Sequence, residues 1–432
     1  MRSTQGHATL MIGREWIARI GFGLAITVPL SGCEFRTLRK NLEVASELTA
    51  VEGRADIRGG GSAPIVVVAY GVSAGKVVDM FVLPRPGPFF FVLPAGTYRL
   101  GAFEDRNRDL AYEAAEEPAV LFANPTDVVL EPGDRRKGLD VIIDPNASTQ
   151  LPFGVSLASE QHEINQLPAP QLGTIVDIDD ARFSEENGKL GMWNPLQFLA
   201  TVGAGVYFLE EYDPKKTPVL FVHGATGNPN QFKYLVSHID RSRFQPWLAY
   251  YPSAPHLERI GQSLVRTLSA LQVKYNFQRL ILVAHSMGGL VTRGAINYAF
   301  RSVGSTRVVH IPAFVSISSP WNGHAAAAKG AEYSPIVAPS WEDMVPGSPF
   351  IQSLPETPLP PECEYSLFFS YRGGTGLGGE ANDGTVTVAS ELSMPIQRQA
   401  VRVMGFNEDH DSILTNPDLA AQLNAILARV AQ

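Results

Sequence analysis

A chain of 432 residues with 45% hydrophobic and 18% charged side chains is long enough for two folded units and can bury a sizeable core. The formal charge of −8 is modest, and the absence of any basic run or basic-aromatic stripe sets a nucleic-acid partner aside. There are only two cysteines, Cys33 and Cys363, so a disulfide framework is excluded as the main source of stability.

At the N-terminus, Arg14 and Arg19 precede an apolar run from Ile20 to Leu30 that ends in small residues, the pattern of an export signal. The stretch from Ile17 to Gly32 is too short to span a bilayer comfortably. It closes on Leu30-Ser31-Gly32-Cys33, which resembles the lipobox of bacterial lipoproteins. The resemblance implies removal of a signal peptide, residues 1–32, and a diacylglyceryl thioether on Cys33. It also implies a membrane anchor in the bacterial cell envelope. The alternative is an ordinary secretory signal that happens to contain a cysteine. No motif surrounds Cys363, which reads as a small buried hydrophobe.

Residues 48–146 carry short apolar runs separated by Gly, Pro and Asp: Ile65–Tyr70, Val77–Val82, Phe89–Leu93, Thr97–Phe103, Val128–Leu130 and Leu139–Ile143. Their length and β-branched content predict a small antiparallel sandwich, loosely similar to transthyretin-like or Ig-like modules. Asp105, Asn107, Asp109, Glu113 and Glu116 follow calcium-loop spacing. However, Leu110 stands where that loop needs glycine, and Arg106 and Arg108 add positive charge, so a solvated hairpin turn is the better reading. Residues 147–215, rich in Pro, Asn and Asp, read as a linker plus the first strands of the next unit.

From residue 216 to 432 apolar strands alternate with helix-length amphipathic segments, which predicts a largely parallel sheet covered on both faces. Strands are expected at Pro218–Val222, Pro246–Tyr251, Arg279–Ala284, Ala313–Ser318, Leu367–Tyr371 and Ala400–Phe406. Helices are expected at Pro229–Ile239, His256–Tyr275, Gly289–Phe300 and Pro417–Val430. The fold class is therefore α/β, preceded by a small all-β sandwich.

Within that pattern, Leu280 to Gly289 reads as an apolar strand, a serine between small residues, and a helix. Ala284 and Gly288 flank Ser286 two positions away on each side, the steric requirement of a nucleophile elbow. Here the region resembles the α/β-hydrolase superfamily, lipase and esterase group, over residues 216–432. The resemblance implies an oxyanion hole made by the N–H groups of Met287 and, through Phe221-Val222-His223-Gly224-Ala225, of Ala225. It also implies an acid and a histidine after later strands. Asn382-Asp383-Gly384 and Glu408-Asp409-His410 are similar to those loops, giving Asp383 as orienter and His410 as base. Glu380 and Asp409 compete for the acid's role. His223 reads as structural, and His324 as a residue lining the pocket.

These residues point to a serine-dependent carboxylic ester hydrolase that works through an acyl-enzyme on an ester or lipid substrate, with no metal or organic cofactor. Acyl transfer with the same triad, or a non-catalytic envelope binding module, are the alternatives. Between Ser319 and Leu367 a Pro-rich stretch carries Trp341, Met344, Val345, Phe350, Ile351 and Leu354. It suits a hinged cover over an acyl pocket, against the alternative of a loop packed permanently on the sheet.

Overall fold

A computed structural model describes residues 32–123, 126–155, 169–303, 309–334, 336–375 and 379–430. The export-signal run, residues 1–31, lies outside the described residues. A helix that the sequence reading did not anticipate, Gly32–Glu47, comes first; Leu38 is fully buried, and Phe35 packs edge-on against Trp193 at 5.6 Å. Among the described residues no helix is long and apolar enough to cross a membrane.

The N-terminal strands are β1 (Thr49–Ile57), β2 (Ile65–Gly71), β3 (Lys76–Leu83), β4 (Gly87–Leu93), β5 (Gly96–Glu104), β6 (Ala119–Leu121), β7 (Val128–Leu130), β8 (Arg135–Arg136) and β9 (Val141–Ile143). One sheet runs β4-β1-β8 with β9 also on β1, the other β3-β2-β5-β6 with β7 on β5. Their inner faces interleave Val51, Ile57, Val67, Phe81, Phe91 and Leu100, the packing of a sandwich. The expectation of an antiparallel sandwich needs correction, because β8 and β9 both run parallel to β1. β1 itself escaped the sequence reading: Glu52, Gly53, Arg54 and Asp56 interrupt its apolar alternation.

The loop with calcium-like spacing is closed by its own backbone. Asp105 accepts from the Leu110 N–H at 3.3 Å, and Glu117 from the N–H groups of Arg106 at 2.9 Å and Glu113 at 3.2 Å. Among the described residues no group of three or more His, Cys, Asp or Glu side chains is placed to hold a metal ion.

The main sheet is built from β10 (Gln171–Ile175), β11 (Gly205–Phe208), β12 (Thr217–Val222), β13 (Phe244–Tyr250), β14 (Ile281–His285), β15 (Ala313–Ile317) and β16 (Glu364–Ser370). A two-residue pair, β17 (Gly374–Thr375) and β18 (Ala381–Asn382), intervenes before β19 (Arg402–Phe406). The order is β10-β11-β13-β12-β14-β15-β16-β19, and only the β11–β13 pairing is antiparallel. Successive residues of one strand serve opposite faces. Leu220, Val222, Leu282 and Ala284 meet the helices Leu257–Tyr275 and Met287–Val303, while Val219, Phe221, Ile281 and Val283 meet Lys233–His238 and Pro417–Val430. Residues 147–215 supply β10, β11 and the helices Glu185–Trp193 and Pro195–Thr201. In that stretch Ser184 and Asn194, which read as loop residues, are helix N-caps.

The sandwich docks on the helix Leu257–Tyr275. Val66, Val68, Met80, Val82 and Phe103 share a core with Ala270 and Val273, and the Arg266 guanidinium pairs with the buried carboxylate of Asp79.

Candidate active site

The site grows from the turn between β14 and the helix Met287–Val303. Ser286 takes a left-handed φ of 54°, which a non-glycine residue adopts only when its surroundings force it. What forces it is crowding. A side chain at Gly288 would meet the Val222 and His223 carbonyl oxygens at 2.4 and 2.5 Å, and one at Gly289 would meet the Ser319 hydroxyl at 2.1 Å. Gly224 lies close enough that an added Cβ would stand 3.2 Å from Ser286 Oγ. The serine hydroxyl thus stands beside the turn that follows β12.

His223 holds that turn. Its buried ring donates from Nδ1 to the Gly224 carbonyl at 2.8 Å and accepts the Tyr251 N–H at Nε2, 3.3 Å away. Burial pushes its pKa down to about 4, so the ring stays neutral. The Ala225 and Met287 N–H groups have no hydrogen-bond partner among the described residues; Met287 follows Ser286 in sequence, and Ala225 follows Gly224, which packs against Ser286.

Two later loops reach the same point. His410, after β19, has Nε2 2.9 Å from Ser286 Oγ and Nδ1 2.6 Å from Asp383 Oδ2. Asp383, after β18, is fully buried; it also accepts the Thr385 and Val386 N–H groups at 2.9 and 2.6 Å and the Ser370 hydroxyl at 2.9 Å. Burial alone would raise the Asp383 pKa, but the hydrogen bond and charge of His410 outweigh it and hold the carboxylate below its ordinary value. Burial likewise opposes charge on His410, and Asp383, with Asp411 and Asp409 behind it, outweighs burial and raises the imidazole.

The other candidates fall elsewhere. Glu380 is exposed, and Asp409 pairs with Arg372 at 3.1 Å and caps the Ser412 N–H at 2.8 Å. His324 uses Nδ1 to cap the helix Ala325–Tyr333; burial, then repulsion from His410, lowers it to about 4. His285, next to the serine on its own turn and so a poor base for it, has a structural task that the sequence does not signal. Its Nδ1 accepts from the Gln231 amide at 3.1 Å and its Nε2 donates to the His410 carbonyl at 2.8 Å.

The expected hinged cover is corrected by the packing. Trp341, Met344, Ile351 and Leu354 are buried in the main core. Arg293 and Asn297, on the helix after Ser286, tie the Leu354 carbonyl at 3.1 and 2.9 Å, and Arg293 also reaches the Thr357 carbonyl at 2.5 Å. The segment is packed on the core, as the alternative reading has it. An apolar cavity of about 170 Å³ between the sandwich and the main sheet, lined by Phe81, Leu264, Leu268 and Ile296, includes none of Ser286, Asp383 and His410.

A mainly parallel eight-stranded sheet flanked by helices, with the serine on the turn after its fifth strand in space, is an α/β-hydrolase fold. Residues 214–338 match the model of a family described as "Putative serine esterase (DUF676)". That match holds Ala225 and Ser286 and ends before Asp383 and His410. No curated protein matches the chain. Among solved structures, the chain is similar to the mature lipase BlEst2 of Bacillus licheniformis at 18% identity, over 50% of this chain and 94% of that one, with a TM-score of 0.38. The lin2722 product of Listeria innocua gives 16%, 49% and 94%, with 0.38. Phospholipase PlaB of Legionella pneumophila gives 16%, 41% and 45%, with 0.35. Residues 214–338 are thus similar to a family described as "Putative serine esterase".

Proposed function

We propose that the protein is a serine-dependent carboxylic ester hydrolase that works through an acyl-enzyme. The observation that carries this reading is the unbroken contact from Asp383 Oδ2 through His410 to Ser286 Oγ, at 2.6 and 2.9 Å. His410 Nε2 takes the hydroxyl proton as Oγ bonds to the ester carbonyl carbon, and the carbonyl π pair moves onto oxygen. The Ala225 and Met287 N–H groups take up that charge in this reading. As the oxyanion collapses, the alkoxide leaves with the proton from His410. A water molecule then gives a proton to His410 and attacks the acyl carbon, and collapse of the second oxyanion returns Ser286 to its hydroxyl and frees the acid. No step in this sequence draws on a cofactor.

The anchored, envelope-resident version rests on Leu30-Ser31-Gly32-Cys33 and the apolar run before it. A diacylglyceryl group supplies two chains, enough for stable anchoring. Cys33→Ser is expected to free the protein from the membrane fraction or leave the precursor uncleaved, and unchanged partitioning would remove this part of the reading.

The activity is tested by comparing wild type with Ser286→Ala on a panel of esters of increasing acyl length. Hydrolysis by wild type, and a loss of about a millionfold in the variant with folding intact, is the expected result. Equal turnover by the two proteins would remove Ser286 as the nucleophile, and no turnover by wild type would leave the binding-module alternative standing.

A further inference from the structure

Beneath Asp383 lies a second buried carboxyl group that the reaction above does not use. Glu391 closes the short helix Val388–Glu391 and is fully buried. Its Oε2 accepts the Ser370 N–H at 3.2 Å, while Oε1 is buried without a hydrogen-bond partner. Ser370 ends β16, and Ser318 follows β15 with a left-handed φ of 49°. Their hydroxyl oxygens are 2.6 Å apart, and Ser318 faces Glu391.

The direction of each bond follows from counting protons. An ionised Asp383 can only accept, so the Ser370 hydroxyl donates to it at 2.9 Å. Ser370 has then used its one proton, and the short contact with Ser318 must be donated by Ser318. The Ser318 oxygen is left with lone pairs and no proton, turned to a carboxyl group. An ionised Glu391 would set a second anion against Asp383 with one N–H to hold it, an arrangement buried charges avoid. A neutral carboxylic acid removes that second anion, and Oε1, which accepts no hydrogen bond, is the oxygen left to carry its proton.

We infer that Glu391 is a positioning residue: as a neutral acid bonded to the Ser370 N–H it leaves Asp383 the one anion of this pocket and holds Ser370, and Ser318 beside it, where they fix the Asp383 carboxylate opposite His410. Burial, followed by the charge of Asp383, pushes the Glu391 carboxyl well above the ordinary range, the direction this chain requires. The inference rests on the reading of Ser286, His410 and Asp383 as a catalytic triad.

Infrared difference spectra of wild type against Glu391→Gln test the protonation without reference to turnover. The carbonyl stretch of a protonated carboxylic acid is expected at neutral pH in wild type and not in the variant, and its absence from wild type would overturn the inference. Kinetics test the positioning. Glu391→Gln keeps a neutral side chain of the same shape with an oxygen for the Ser370 N–H and is expected within about threefold of wild type. Glu391→Leu, which leaves the Ser370 N–H without an acceptor, should lose about tenfold to a hundredfold in kcat with KM kept. Ser318→Ala cuts the chain with Glu391 in place and should match that loss, which keeps the test open should the Leu variant not fold.

The acidic limb of the pH profile reports His410, which faces Asp383, Asp409, Asp411, His285 and His324. In Glu391→Gln it should stay in place. A shift of the limb to lower pH, as removal of an anion would give, would overturn the inference, as would equal rates for the Gln, Leu and Ser318→Ala variants. Absence of ester turnover in wild type would instead sink the triad reading, with the infrared band still deciding the state of Glu391.

Discussion

The Nε2–H of His285 donates to the main-chain carbonyl of His410, 2.8 Å away. The residue before the proposed nucleophile thus holds the backbone of the proposed base. The Gln231 amide fixes the tautomer by donating to Nδ1, and burial, followed by repulsion from His410, lowers the His285 pKa to about 4, so the link is not titrated near neutrality. His285→Ala should leave Ser286 in place but loosen the His410 loop. We expect kcat to fall by about tenfold or more and stability by about 1–3 kcal/mol, the cost of leaving a buried carbonyl unpaired. Thermal melts and ester kinetics check both, and a variant with wild-type kcat would show that the loop needs no such tie.

The pH profile carries a sign. His410 must be neutral to accept a proton, and Asp383 favours its charged form over the opposing effect of burial. The acidic limb of kcat/KM should therefore lie above the ordinary histidine value of 6.5. The same attraction contributes stability that is fully present below the unfolded pKa and is lost as pH rises through the folded one. Asp383→Asn should move the limb to lower pH and cut kcat by about ten-thousandfold. An unmoved limb in that variant would separate Asp383 from the titration of His410.

The sandwich has its own pH dependence. Burial pushes Asp105 from 3.8 to about 6 and Glu117 from 4.5 to about 7, against the backbone N–H groups that bond them. Between the unfolded and folded values the native state holds protons that the unfolded chain has released, so stability falls as pH rises. The sandwich should melt higher at about pH 5 than at about pH 8, and Glu117→Gln should narrow the gap. A gap of the same size in the variant would take Glu117 out of the account.

The packed segment between Ser319 and Leu367 carries a stability prediction. Leu354 is 1% exposed, and truncation to Ala should cost about 2–5 kcal/mol in unfolding free energy. Because the segment is tied to the helix that follows Ser286, we expect no large rate increase when a detergent interface is added to an ester of fixed acyl length. A strong interfacial activation would mean that these contacts open and that the hinged-cover expectation was right after all.

How far the sequence carried can be read from particular residues. The elbow was legible because Ala284, Ser286 and Gly288 answer a local steric demand. The loops of Asp383 and His410 were legible only through family order, because they meet Ser286 across the sheet and nothing local specifies a partner so far away in sequence. Glu391 and the His285–His410 bond left no such signal: both depend on which side chain faces inward after folding. The helix at Gly32–Glu47, with Arg36, Arg39 and Lys40 exposed and only Leu38 and Asn41 buried, shows little apolar periodicity, and it is Trp193 and Asn194 that supply the surface it rests on.

The central claim is that Ser286 becomes covalently acylated. Intact-mass measurement after mixing the protein with a fluorophosphonate, and with a slowly released acyl ester, tests it most directly, with peptide mapping to locate the adduct. The account predicts a single adduct on Ser286 from either reagent, lost in Ser286→Ala and slowed strongly in His410→Ala. Ester turnover without any adduct on Ser286, or an adduct that persists in Ser286→Ala, would contradict it.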